Sequence, residues 1–144
     1  MREILFRGKI TELCKYQGQW LEGFYGEQDG LPFIAIKESN GLFGFFCDPL
    51  TVGQYTGLTD KNGTKIFEGD ILQIEQCGKP GSRHLPIYFG KYIDADLDFD
   101  YPCIGFYFRI PDGCGNIGAL LSDGFECEVI GNVFDNPELM EVER

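Results

Sequence analysis

The chain has 144 residues, with 23 Asp and Glu against 12 Lys and Arg, a formal net charge of -11 at pH 7. At 43% hydrophobic and 15% aromatic it carries enough apolar material for a packed core, which excludes a disordered acidic polymer. The negative balance disfavours direct contact with nucleic-acid phosphates and with anionic membranes, which repel the same sign. No apolar run is long enough to cross a bilayer, and the first 20 residues hold no signal-like stretch, so a cytoplasmic globular protein is expected.

Charge is not spread evenly. Residues 1–50 hold 7 acids and 5 bases, residues 51–93 hold 4 and 5, and residues 94–144 hold 12 and 2. The chain reads as an N-terminal strand-rich part, 1–50, and a C-terminal part, 51–144, or as one domain throughout.

Strand-sized apolar runs follow one another in order: Ile4 to Phe6, Trp20-Leu21, Phe33 to Ile36, Phe43 to Phe46, Ile71 to Ile74, Ile104 to Phe108 and Val129 to Val133. Each is rich in aromatic or β-branched residues and bounded by turn formers, which predicts a mainly β protein. Glycines inside the runs (Gly44, Gly105, Gly131) predict bulges or sharp bends, as a small, strongly bent barrel requires. Tyr55 to Phe67 reads as a hairpin whose turn, Thr59 to Thr64, is built by Asp60, Asn62 and Gly63. Residues 78–86 read as a loop carrying His84, the single histidine. Asn136-Pro137-Glu138-Leu139 predicts one short C-terminal helix, capped by Asn136.

Candidate chemistry is sparse. Cys14, Cys47, Cys77, Cys103, Cys114 and Cys127 are too far apart for the close pairs of a structural zinc site, so most are expected to be buried free thiols. Gly113-Cys114-Gly115-Asn116-Ile117-Gly118 matches the letters of a dinucleotide fingerprint. Only Ala119-Leu120-Leu121 follows before Ser122-Asp123-Gly124, so no useful helix is expected there, and a glycine-rich β-loop is predicted. Asp94, Asp96, Asp98 and Asp100 alternate with apolar residues, which in a strand puts four carboxylates on one face about 7 Å apart. They read as a solvated edge-strand face, with weak divalent-cation binding the sharper alternative. Glu68 and Asp70 flank Gly69 and could act as an acid-base pair if one were desolvated, or serve as turn acids.

The run from Val52 to Leu72, VGQYTGLTDKNGTKIFEGDIL, resembles the core of the YopX family of phage and prophage proteins. The opening Met1 to Gly8, the stretch Trp20 to Gly23 and the close Glu128 to Leu139 resemble that family too, while residues 78–127 diverge from it. The resemblance implies a mainly β fold with a small SH3-like barrel in the C-terminal part, an N-terminal strand-rich extension and a mobile-element origin. It transfers no catalytic residue, metal or cofactor. It marks Tyr55, Thr56, Gly57, Asp60, Asn62, Gly63, Glu68, Gly69, Asp70, Gly131 and Asn132 as signature positions of unassigned binding role. The expected function is a non-enzymatic phage or prophage accessory protein that acts through protein contacts and self-associates. The alternatives are an acidic nucleic-acid mimic that occupies a host defence enzyme, a small-barrel nucleic-acid-binding protein, and a hydrolase using Glu68 and Asp70.

Overall fold

Short apolar runs broken by glycine are too brief for amphipathic helices but match the length and period of pleated strands. The computed structural model, which describes residues 3–76, 82–95, 102–110 and 113–140, is accordingly mainly β, with three antiparallel sheets and one short α-helix. The chain divides into two compact units, residues 1–57 and 58–144.

Unit 1 contains β1 (Phe6–Lys9), β2 (Trp20–Gln28), β3 (Leu31–Glu38), β4 (Gly41–Phe46) and most of β5 (Gly53–Thr59), in the sheet order β4-β3-β2-β1-β5. β2 and β3 are joined by Asp29-Gly30, both at positive φ, a two-residue turn whose twist matches that of the strands. One sheet face packs Ile10, Ile34 and Cys47 against Phe6, Leu21, Ile36, Phe45 and Val52. Fully burying an aliphatic side chain contributes about 1.5–3 kcal/mol, so this small cluster is a modest core. The β1–β2 connection is tied to the end of β3, where the Tyr16 hydroxyl donates to Glu38 Oε1 at 2.7 Å.

Unit 2 contains β6 (Lys65–Phe67), β7 (Asp70–Gln76), β8 (Ser82–Pro86), β9 (Tyr88–Tyr92), β10 (Cys103–Ile110), β11 (Gly113–Asn116), α1 (Ile117–Ser122) and β12 (Phe125–Asn132). Two three-stranded sheets, β11-β10-β9 and β12-β7-β8, enclose a larger core of Ile66, Leu72, Ile74, Leu85, Ile87, Phe106, Phe108, Ile117 and Cys127. Strands are thus distributed over separate sheets, with no closed barrel among the described residues. No helix of the described residues is long and apolar enough to cross a membrane.

Three local expectations are corrected. The glycine-rich run enters a real helix: Asn116 caps α1, its Oδ1 accepting from the Ala119 N–H at 3.1 Å, while Leu120 and Leu121 pack on the core. Asn116 is a strong N-cap that the sequence count passed over. The C-terminal segment forms a 3-10 turn, Pro137–Leu139, and Asn136 makes no side-chain cap there. Residues 82–86 are strand β8, paired with β7, so His84 is not on a loop. It is half-buried, with Nδ1 2.9 Å from the Leu139 carbonyl.

Candidate functional site

The signature residues converge on the turns that join β5, β6, β7 and β12. A turn after Thr59 leaves several backbone N–H groups pointing inward, and Asp60 gathers them. Its Oδ1 accepts from the N–H groups of Asn62 and Thr64, each at 2.9 Å, and its Oδ2 accepts from the Val129 N–H at 2.9 Å. The Asp60 carbonyl also accepts from the Gly63 N–H, which follows from the positive φ of 80° at Gly63. Asp60 is 7% exposed. Burial pushes its carboxyl upward, but the Val129, Thr64 and Asn62 N–H groups and the nearby Lys61 charge outweigh that and hold it below the usual aspartate range.

The next turn repeats the device. Asp70, 1% exposed, accepts the Phe67 N–H on Oδ2 at 2.7 Å, and its carbonyl accepts from the Ile87 N–H. Gly69 turns at φ 91°, donates to the Ile87 carbonyl and accepts from the Val133 N–H. A side chain there would be strained by the backbone and would sit 3.1 Å from the Phe134 ring. Glu68, half-buried beside it, shares the turn.

The third turn closes the set. Asn132 Oδ1 accepts from the N–H groups of Phe134 and Asp135, and the Asn132 N–H donates to Asn136 Oδ1 at 3.2 Å. Gly131 lies just past a register shift between Val129 and Gly131. A Cβ at Gly131 would meet Asn136 Oδ1 at 2.5 Å, so glycine is what lets that amide reach the backbone. Segments about 70 residues apart in sequence are stitched here: Val129 to Asp60, Lys61 to Cys127, and Asn132 opposite Asp70.

The arrangement holds backbone, not a reactant. Asp60 and Asp70 are committed to turn N–H groups, and Tyr55, Thr56 and Gly57 are buried or turn-forming residues on β5. Asp94 makes an isolated bridge to Cys114; Asp96, Asp98 and Asp100 lie outside the described residues. The fingerprint glycines serve packing, since a Cβ at Gly115 would meet the Phe108 ring at 2.6 Å and one at Gly113 would meet Ala95 at 2.8 Å. Among the described cysteines, Cys47 and Cys127 are buried, whereas Cys14, Cys103 and Cys114 are half-buried. Burial first, then the charge of Asp48 or Asp60, pushes the Cys47 and Cys127 thiols up, which suits inert core residues.

A sequence model of the YopX protein matches residues 6–141. The chain belongs to the YopX family. Among solved structures it is similar to the crystal structure of protein EF1440 from Enterococcus faecalis, at 24% identity and a TM-score of 0.54, covering 98% of this chain and 100% of that one. That likeness concerns the fold. No curated protein matches. In this YopX chain, then, the signature residues of unit 2 are turn locks.

A different surface of the chain escaped the sequence count. On the sheet of unit 1, the rows Gly26–Phe33–Phe46 and Phe24–Ala35–Gly44 share the face opposite the core, with Leu42 beside Lys37. Phe24 is 56% exposed, Leu31 55% and Leu42 57%. The Phe33 ring lies flat across two glycines, because a Cβ would stand 2.3 Å from it at Gly26 and 2.7 Å at Gly44. The period-2 alternation of these strands, apolar on both faces, was the available signal.

Proposed function

We propose that this YopX chain is a non-enzymatic protein-interaction module that self-associates, with unit 1 carrying the contact surface. The observation that carries this is the outward face of the unit 1 sheet, where Phe24, Leu31 and Leu42 are each more than half exposed around the flat Phe33 ring. Isolated exposed apolar residues need no explanation, but several on one sheet face form a patch of the kind that protein contacts cover. The signature carboxylates support the non-enzymatic half of the proposal. Asp70, the buried member of the Glu68–Asp70 pair, is held by a backbone N–H in a turn, where a general acid or base must meet a substrate proton.

Accessory service to a phage or prophage is part of the same proposal and follows from the YopX resemblance. Light scattering coupled to gel filtration tests self-association. A dimer or larger species at micromolar concentration is expected, and a monomer across that range would remove the self-association.

A further inference from the structure

We propose that two copies of this chain join through β4, edge to edge and antiparallel, with Phe43 facing Phe43 of the second copy across a two-fold axis. The inference rests on the self-association proposed above and names the strand, the register and the partner.

β4 ends its sheet, so one of its sides lacks a strand neighbour among the described residues. That side is closed at one end only. The Phe46 N–H donates to Glu12 Oε1 at 3.2 Å, and the Phe46 carbonyl accepts from the Thr11 and Glu12 N–H groups at 3.0 and 3.2 Å. The backbone groups of Phe46 therefore point away from β3. In an antiparallel ladder this direction alternates, so those of Gly44 and Leu42 point outward too, while those of Phe43 and Phe45 face β3. Leu42 and Gly44 thus offer two N–H and two carbonyl groups at an open edge. Natural edges are usually blunted by charge, proline or a bulge. Here no Asp, Glu, Lys, Arg or Pro occurs from Ser39 to Cys47, and the β3–β4 register runs without a shift.

These constraints select one register. If both copies turn the same face outward, opposed residues must share a face, which restricts the two-fold to a residue of β4. Centred on Gly44, Leu42 would oppose Phe46 of the second copy, whose backbone Thr11 and Glu12 already occupy. Centred on Phe43, Leu42 opposes Gly44 in both directions, and four N–H to carbonyl bonds form with nothing displaced. Leu42 then lies over the side-chain-free Gly44 next to the Phe33 ring of the second copy, and the two Phe43 rings meet in the closer, non-hydrogen-bonded pair.

The same charge count indicates a second copy as the occupant. A chain of -11 repels itself, and this strand opposed to its own image adds no like-charge pair across the seam. Because the pairing is isologous, it consumes both β4 edges and closes at two.

Disulfide trapping tests it. Phe43→Cys and Leu42→Cys variants of the full chain, each prepared as an isotopically light and heavy mixture, are oxidised mildly and the cross-linked peptides mapped by mass spectrometry. The mixed light–heavy peptide joined through position 43 in the Phe43→Cys variant should exceed the one joined through position 42 in the Leu42→Cys variant by at least tenfold. Phe43→Lys, checked for native fold by circular dichroism, should raise the dimer Kd about tenfold or more. A dimer by light scattering whose cross-links avoid position 43, or whose Kd ignores Phe43→Lys, would overturn the β4 pairing and leave self-association standing. A monomer would remove both.

Discussion

Unit 1 and unit 2 handle their backbone in opposite ways. Unit 2 collects its turn N–H groups on buried side chains, Asp60 and Asp70, and on the half-buried Asn132, and surrounds them with the larger apolar core. Unit 1 buries a smaller cluster and leaves β4 and one whole sheet face apolar and open. Most family-signature positions fall on the first arrangement and none on the open face. The contrast teaches that a signature can mark what a fold needs to close, while the surface available for partners lies in residues that carry no motif.

Removing a lock should break unit 2 far more than any change on the open face breaks unit 1. Asp60→Ala strips the acceptor from three backbone N–H groups at once, and an unsatisfied buried donor costs about 1–3 kcal/mol. A loss of at least about 3 kcal/mol in urea unfolding is expected, enough to consume much of a typical domain's stability. Gly131→Ala comes next. Its Cβ would displace the Asn136 amide from the Asn132 N–H, at a cost of about 1–3 kcal/mol by the same assay.

The Asp60 lock also has a pH signature. Its folded pKa lies below its unfolded value, so its stabilisation is complete above about pH 4 and is lost as pH falls through the lower folded value. Acid titration of the wild type should show stability falling in that window, and Asp60→Asn should flatten the fall. The smallest expected effect lies on the open face: Leu42→Lys should leave unfolding stability within about 0.5 kcal/mol, because its side chain is 57% exposed. If Leu42→Lys destabilised the chain as much as Asp60→Ala, the contrast between the units would collapse.

The sequence made much of this legible, for physical reasons that differ by element. The hairpin around Asp60, Asn62 and Gly63 could be read directly, since its turn chemistry is local. Asp60's third bond was not readable, because Val129 stands 69 residues away and only tertiary pairing brings it near. Helix α1 was missed because counting three apolar residues overlooked the Asn116 cap and the burial of Ile117, which stabilise six residues that would not be helical alone. β8 was hidden by its loop-like composition, with Ser82 and Pro86 at its ends, although Leu85 sits in the core. The open face of unit 1 had a local signal, strands apolar at consecutive positions, but such runs ordinarily mean burial on both sides.

Amide hydrogen exchange at two protein concentrations, one below and one above the onset of association, tests the division of labour most directly. The account predicts that concentrating the protein slows exchange at the Leu42 and Gly44 amides, while amides held by Asp60 and Asp70 exchange slowly and equally in both samples. Added protection confined to residues 58–70, with residues 41–46 unchanged, would contradict it.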